Sequence, residues 1–276
     1  MSTFRSCLRG FRSSVLRLLG KLGLLRLTYS AYQRLKVMRS AASGPLADQG
    51  LPVPPPGLIV LVAGTADVEW FLRSGRLAAG SIRDILARNG RPIEGFHSIL
   101  DFGSGCGRVV RHWSDIAASI AGSDCNGQAV EWCRRNLPFA RFEVNDLRPP
   151  LAFDREEFGF AYALSVFTHL PEELQFAWID ELRRVLVPDG LLLLTIHGER
   201  SSKDLTLTEQ ARFHAGECVV RWEAAAGTNL CSAYDPVSFV REKLARGFEV
   251  VDAEPEGAKG NPYQDVFLFR KRANSA

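Results

Sequence analysis

The stretch Ile-Leu-Asp-Phe-Gly-Ser-Gly-Cys-Gly-Arg at residues 99–108 decides the fold of this chain. An apolar run ends at Asp101, glycines follow at positions 103, 105 and 107, and a helical segment is predicted to begin at Val109. Glycines at alternate positions let the backbone turn sharply out of a strand and approach a ligand, because they carry no Cβ. The pattern therefore predicts a strand, a ligand-binding loop and a helix start whose free N–H groups favour a negative group.

Two common phosphate-binding patterns do not fit this stretch. The dinucleotide fingerprint Gly-x-Gly-x-x-Gly needs a glycine where Arg108 stands. A P-loop needs Lys-Ser or Lys-Thr after its last glycine, and neither follows. A nucleotide-dependent oxidoreductase is therefore the least favoured interpretation.

From residue 98 onward, apolar segments alternate with helical ones. Strands alternating with helices predict an α/β fold with a doubly wound, mostly parallel seven-stranded sheet, preceded by N-terminal helices, with the last two strands forming an antiparallel edge. The predicted strands span residues 98–102, 117–123, 140–144, 158–164, 190–196, 247–252 and 264–270.

Three regions are predicted along the chain. Residues 1–44 form a basic amphipathic segment, residues 45–97 a linker and helical lead-in, and residues 98–276 the main domain with an insertion at 198–235. The proline-rich run that ends residues 41–57 is typical of a stiff linker. Residues 58–95 are predicted to be helical.

Polar residues follow the second and third predicted strands. Asp124 comes after the second strand, and Asn145-Asp146-Leu147 comes after the third. In an open α/β sheet the carboxyl ends of the strands lie beside the ligand. There Asp124 is placed to bind ribose hydroxyls, and Asn145-Asp146-Leu147 is placed to bind an adenine amino group. Two structural alternatives stay open: Asp124 as the cap of helix 127–136, and Asp146 as a turn acid.

These motifs resemble the class I S-adenosylmethionine (SAM)-dependent methyltransferases, in particular bacterial enzymes that modify small molecules and glycans. The resemblance rests on residues 99–108, 122–126 and 163–170, and on Leu-Arg-Arg-Val-Leu-Val-Pro-Asp-Gly-Leu-Leu at 182–192. It implies SAM as the cofactor. The cofactor-binding residues that it implies are Asp101, Gly103, Ser104, Gly105, Gly107, Arg108, Asp124, Cys125, Asn145, Asp146, Leu147 and Ser165.

The segment after the fourth strand, residues 163–173, faces the transferable methyl group in such a fold. It lacks both the Asn/Asp-Pro-Pro-aromatic signature of amide- and adenine-methylating relatives and the Pro-Cys of cytosine-methylating ones. A hydroxyl acceptor gains from a base, and His169 is the first candidate, with His197 after the fifth strand as the second. The structural alternative is that Thr168 and His169 cap the following helix.

The long insertion at 198–235 lies at the predicted active edge. It is expected to contribute substrate-binding residues Arg221, Asn229 and Tyr234, although a solvated insertion stays open. We therefore expect O-methylation of a small molecule or of a sugar in a glycan or glycolipid. The alternatives are N-methylation of a small amine, and a SAM-binding regulator or scaffold without turnover.

The net charge of +3 conceals an asymmetry along the chain. Residues 1–44 hold nine Lys or Arg and no acid, whereas the remainder holds 25 basic and 31 acidic residues and predicts no nucleic-acid partner. Three interpretations of the basic segment stay open: binding to an anionic membrane or a partner, packing on the protein's own body, and targeting as a transit peptide. Its helical apolar stripe consists of Phe4, Leu8, Phe11, Val15, Leu18, Leu22 and Leu25.

The remaining composition points to a cytoplasmic protein, peripheral at the inner face of the membrane if the basic segment binds lipid. Six cysteines show neither a C-x-x-C pair nor metal-ligand spacing with histidine, so we expect reduced thiols and no metal site. No apolar run reaches the roughly 18–20 residues of a membrane span.

Overall fold

The computed structural model of the chain describes residues 24–39, 47–261 and 263–273. Its centre is a seven-stranded sheet of strand order β6-β7-β5-β4-β1-β2-β3. Strands β1 to β5 run parallel, and β7 pairs antiparallel with both β5 and β6, as the sequence predicts. The strands are β1 Ser98–Phe102, β2 Ser119–Asp124, β3 Ala140–Val144, β4 Phe158–Ala163, β5 Leu186–Ile196, β6 Phe248–Glu254 and β7 Asp265–Lys271.

Helices cover both faces of this sheet. The helices of eight or more residues are α1 Leu25–Arg39, α2 Pro56–Ala63, α3 Val68–Arg88, α4 Gly127–Asn136, α5 Glu172–Val185 and α6 Leu207–His214. Side chains along each buried strand alternate between two cores, because successive residues of a strand point to opposite faces. In β5, Leu192 and Leu194 join the core under α5, whereas Leu191 and Leu193 join the core under α3 and α4.

The fifth strand begins at Leu186 rather than at residue 190. Leu186 already pairs with Phe158, and an irregularity in the register then brings Leu191 opposite Phe160. Asp189 and Gly190 are therefore part of a bulged strand, in which Asp189 has a positive φ of 59°.

The amino-terminal region is more structured than a linker. Two short strands, Ala47–Asp48 and Leu51–Pro52, form a hairpin, and Pro56 occupies the first turn of α2, where its missing N–H costs nothing. This hairpin lies within the segment 41–57 that is predicted to be a stiff linker, and α2 and α3 follow it. Residues 40–46, and the stripe predicted from Phe4 to Leu22, lie outside the described residues.

Two local predictions near the glycine loop are also corrected. No α-helix begins at Val109; the chain makes a short 3₁₀ turn, Val110–Trp113, instead. Helix α4 is capped by Asn126, whose side-chain oxygen accepts from the N–H groups of Gln128 and Ala129. Asp124 lies two residues earlier and accepts from the Asn126 N–H, so it is not the cap.

The insertion after β5 folds onto the carboxyl edge of the sheet. It contains a short helix Glu199–Ser202, helix α6, a two-stranded hairpin of Val219–Arg221 with Ser232–Tyr234, and a 3₁₀ turn Glu223–Ala225. A helical segment, Val237–Phe239 followed by Val240–Leu244 in π form, then leads to β6. Over the described residues, no helix is long and apolar enough to cross a bilayer.

Candidate cofactor and active site

A cavity of about 960 Å³ opens at the carboxyl ends of β1, β2, β3 and β4. Strand β1 lies between β4 and β2, so the sheet grows in opposite directions from this point. Ligands of open α/β sheets bind at such a switch point. Ten of the predicted cofactor residues line the cavity: Asp101, Gly103, Ser104, Arg108, Asp124, Cys125, Asn145, Asp146, Leu147 and Ser165.

The glycine loop is fastened to the end of β2. The N–H groups of Gly103 and Ser104 both donate to the Ser123 carbonyl, at 2.8 and 3.0 Å. Gly103 has a φ of 81°, and a Cβ there would overlap the Val166 side chain. The buried hydroxyl of Ser104 has no hydrogen-bond partner among the described residues, although the residue lines the cavity. A buried hydroxyl left in this way indicates a ligand or ordered water.

Gly105 and Gly107 do not line the cavity; they shape the loop that does. Gly105 has a φ of 53°, and its N–H donates to Asp124 Oδ2 at 2.8 Å. A Cβ on Gly105 would overlap the Val62 side chain of α2, so the close approach of this helix requires glycine. The carboxylate of Asp124 thus holds the loop and also faces the cavity, where its remaining lone pairs can accept from a ligand.

A buried polar chain leads to Asp101. The Trp113 indole N–H donates to the Tyr162 hydroxyl at 2.9 Å, and this hydroxyl donates to the Asp101 carboxyl. Burial raises the pKa of Asp101 to about 7, against the opposing effects of Tyr162 and of the positive charge of Arg108. A cationic ligand beside this carboxyl would favour its charged form and lower its pKa.

Arg108 is the single lysine or arginine among the described residues that line the cavity. Its guanidinium donates to the Ser74 hydroxyl at 3.3 Å and to Asn261 Oδ1 at 2.8 Å, and it lies 6.0 Å from the Trp70 ring centre. Burial lowers the pKa of Arg108, against the opposing effect of the Asp101 carboxyl. The hydrogen bonds to Ser74 and Asn261 go to neutral groups, and Arg108 lines the cavity, where it can also donate to a ligand.

Asn145, which follows β3, is held by its neighbours. Its Oδ1 accepts from the Ser123 hydroxyl, and its Nδ2 donates to the Asp146 carbonyl at 2.7 Å. Asn145 N–H also donates to the Asp124 carbonyl at 3.1 Å. These bonds join the ends of β2 and β3 into one rigid edge of the cavity.

Gln264 is a cavity residue that the sequence did not single out for this site. Ser165 has a left-handed φ of 60°, and its N–H donates to Thr195 Oγ1 at 2.8 Å. The Thr195 hydroxyl donates to Gln264 Oε1 at 2.8 Å, and the Gln264 amide donates back to the Ser165 hydroxyl. The network joins β4, β5 and β7 and maintains the strained turn.

Other cavity residues missed by the sequence analysis come from the lead-in helices and the approach to β7. These residues are Leu61, Val62, Ala63, Trp70, Gly260 and Asn261. The apolar sequence of α2 indicates that this helix is buried. Its periodicity could not show that it packs against the glycine loop and the cavity.

His169 lines the cavity just after β4, in the 3₁₀ turn Phe167–His169. Its Nδ1 lies 2.7 Å from the Cys231 carbonyl, which can only accept, so Nδ1 carries the proton and Nε2 carries a lone pair. Burial lowers the pKa of His169, which keeps the imidazole neutral at pH 7. Helix α5 has Pro171 at its cap and no side-chain cap, so His169 does not have the alternative capping role.

His197 lies behind His169 rather than in the cavity wall. The two rings are 6.5 Å apart, edge to face, and His197 Nδ1 lies 3.1 Å from the Ala233 carbonyl. Burial, followed by the neighbouring His169, lowers the pKa of His197 to about 4. His197 therefore packs beside His169 and does not line the cavity.

Of the three predicted substrate residues, only Asn229 lines the cavity, where its Nδ2 donates to the Val62 carbonyl of α2 at 3.0 Å. Arg221 instead pairs with Glu209 and donates to the Asp204 carbonyl at 3.1 Å. Tyr234 is 9% exposed and packs against Arg221 and His197. The expectation for Arg221 and Tyr234 is corrected, because both serve the internal packing of the insertion.

Asp235 is a buried carboxyl behind the histidines, and we expect Asp235→Asn to stabilise the protein increasingly as pH rises. Both carboxyl oxygens lie 3.2 Å from the Gln175 amide nitrogen, and burial raises the pKa to about 7, above its ordinary 3.8. Between these values the native state binds the proton more strongly than the unfolded chain, so wild-type stability falls as pH rises. Urea unfolding at pH 5 and pH 8 measures the difference.

The gain in unfolding free energy for Asp235→Asn should be larger at pH 8 than at pH 5, by on the order of a few kcal/mol. A gain that is the same at both pH values would contradict the raised pKa of Asp235.

Comparison with known proteins agrees with this geometry. Residues 99–190 match the model of a family described as a methyltransferase domain, and this range begins in β1, just before the glycine loop, and ends within β5. The chain therefore contains a methyltransferase domain. Among the described residues of the methyltransferase and its lead-in, no group of histidine, cysteine or acidic side chains is placed to hold a metal ion.

Solved structures share the fold of this methyltransferase at low sequence identity. A Burkholderia thailandensis 1,6-didemethyltoxoflavin-N1-methyltransferase, with S-adenosylhomocysteine bound, is 16% identical, with a TM-score of 0.55 over 85% of this chain and 95% of its own. A SAM-dependent methyltransferase from Methanosarcina mazei is 22% identical, with a TM-score of 0.50 over 64% and 93%. A glycopeptide N-methyltransferase complexed with sinefungin is 15% identical, with a TM-score of 0.50 over 72% and 87%.

Proposed function

We propose that this methyltransferase methylates a hydroxyl group of a small molecule, or of a sugar in a glycan or glycolipid, with His169 as the general base. The observation that carries this proposal is the orientation of His169. Its Nδ1 is committed to the Cys231 carbonyl, so Nε2 is the basic atom at the cavity edge that follows β4. A neutral imidazole there accepts the hydroxyl proton as the acceptor oxygen becomes a nucleophile.

The cavity residues fit SAM, which supplies an electrophilic methyl group when bound. Asp124 would accept from the ribose hydroxyls, and Asn145, Asp146 and Leu147 would surround the adenine. The unpartnered Ser104 hydroxyl and the glycine loop are suited to the polar part of the cofactor. Asp101, with its raised pKa, would take the charged form beside a cation.

The charges of the cavity favour a neutral acceptor over a cationic amine. The acidic residues among its described lining are Asp101, Asp124 and Asp146, and each lies at or just after the carboxyl end of a strand, on the side assigned to the cofactor. The rest of the wall presents apolar side chains of α2, Trp70 and the amides of Asn229, Asn261 and Gln264. Such a wall can orient a hydroxyl compound by hydrogen bonds and exclude water.

Incubation of the full chain with methyl-labelled SAM and fractionated extract of its host tests the proposal. We expect label in a product whose methyl group is an ether by NMR, and loss of this product with His169→Ala. A labelled amine whose formation survives His169→Ala would replace O-methylation by the N-methylation alternative.

For location and domain organisation we propose the following. The nine positive charges of residues 1–44 support a peripheral position at the inner face of an anionic membrane, in the cytoplasm. Residues 45–97 supply α2 and α3 as part of the cavity wall, and residues 98–276 form the methyltransferase domain with its insertion at 198–235.

A further inference from the structure

Helix α1 presents an apolar face to solvent. Leu24, Leu27, Ala31, Leu35 and Met38 are all exposed, and their spacing of three and four residues places them on one side of the helix. Leu27 is 68% exposed and Met38 is 82% exposed. Nine large apolar side chains of the described residues are exposed. Five of them lie on or beside this helix: Leu24, Leu27, Tyr32, Leu35 and Met38. An apolar concentration of this kind marks an interaction surface.

The opposite side of α1 packs on the body of the protein. The helix lies against α2 and the turn Glu223–Ala225, and Tyr29, on this side, is half-buried. Both neighbours lead directly into the cavity wall, α2 through Leu61–Ala63 and the turn through Gly227–Asn229. Helix α1 therefore packs beside two segments that contribute to the cavity wall.

Charge decides which occupant covers this face. Residues 1–44 carry nine Lys or Arg and no acid, and Arg34 is exposed at the border of the apolar face of α1. A second copy of the chain would bring two such segments together, with like charges repelling each other. An anionic lipid surface neutralises these charges and accepts the apolar side chains at the same time.

We propose that α1 lies flat in the interface of an anionic bilayer through this face, and that the methyl acceptor is a membrane-borne amphiphile. At 15 residues the helix is about 22 Å long, enough to place four turns in the headgroup region. The cavity rim beside α1 would then lie next to the lipid headgroups, where the hydroxyl of an amphiphile can enter. The choice of acceptor rests on the proposed function, whereas membrane docking does not.

Vesicle flotation of the full chain tests the docking. The probes are vesicles of phosphatidylcholine with phosphatidylglycerol, and of phosphatidylcholine alone, at low salt. We expect flotation with the anionic vesicles, and a loss of partitioning of roughly tenfold or more for each of Leu27→Glu and Met38→Glu. Leu207→Glu is the matched control, because Leu207 is 84% exposed but lies on α6 rather than on α1, and this variant should float like the wild type.

Flotation that is unchanged by Leu27→Glu and Met38→Glu would overturn the proposal, since the basic charges alone would then hold the protein. A wild-type dimer that becomes monomeric in these variants, without flotation, would assign the face to a second copy. Labelled methyl transfer recovered only in water-soluble products would overturn the amphiphilic acceptor. The methyl group of the labelled product, identified by NMR, separates these failures from failure of the proposed function: an N-methyl product would overturn O-methylation whether or not the protein floats.

Discussion

Gly105→Ala is expected to lower the affinity for SAM by at least about thirtyfold. The new Cβ would hold a left-handed φ of 53°, which costs roughly 1–2 kcal/mol for a residue other than glycine. It would also overlap the Val62 side chain of α2, at a cost of about 1–3 kcal/mol. The loop can relieve both only by moving away from Asp124 and from the position that faces the cofactor. Isothermal titration calorimetry on folded protein measures the change.

Gly80→Ala is the matched control for this loss. Gly80 lies within α3, and no atom lies within 4 Å of an added Cβ there. The substitution should leave SAM affinity unchanged and stabilise the helix by up to about 1 kcal/mol. Wild-type affinity in Gly105→Ala would show that α2 gives way easily and that the loop is not closely constrained.

His169→Ala is expected to reduce turnover by about 10²- to 10⁴-fold while SAM still binds with wild-type affinity. The substitution removes the basic Nε2 from the cavity edge, and loss of a general base has effects of this size. His169 lies on the turn after β4, apart from the glycine loop and Asp124, so the cofactor contacts remain. Single-turnover assays with labelled SAM, together with calorimetry, separate the two effects.

His197→Ala gives the comparison, because it removes a neighbouring buried imidazole that has no contact with the cavity. Its effect on turnover should be much smaller than that of His169→Ala. The reverse order, or near-wild-type turnover in His169→Ala, would contradict the assignment of the base.

The pH profile of kcat/KM provides an independent check on His169. Burial lowers the pKa of this imidazole below its ordinary 6.5, and the base acts in its neutral form. At saturating SAM, where the cationic cofactor favours the charged form of Asp101, the acid limb of kcat/KM for the acceptor should therefore lie below pH 6.5. In His169→Ala this acid limb should disappear.

Much of the sheet and its carboxyl edge could be predicted from residues close together in sequence. The apolar run before Asp101 and the glycines after it specify a strand and a loop locally, and strand β1 spans residues 98–102 as predicted. Polar residues that directly follow buried strands must meet at one edge of a parallel sheet. Asp101, Asp124 and Asn145 accordingly line one cavity.

The remaining features depend on contacts between distant segments. Arg221 looked like a substrate residue because its charge lay in an insertion, but Glu209 neutralises it across the fold of that insertion. Gln264 reaches Ser165 only because β7 pairs antiparallel with β5 and so returns to the cavity edge. The position of α1 follows from its packing on α2, which hydrophobic periodicity within either helix could not show.

Binding of SAM against NADH to the full chain, measured by isothermal titration calorimetry, tests the central claim most directly. The geometry of the cavity predicts micromolar-range binding of SAM, weakened in Gly105→Ala, and no binding of NADH, because Arg108 replaces the third glycine of a dinucleotide loop. Binding of NADH without binding of SAM would contradict the account.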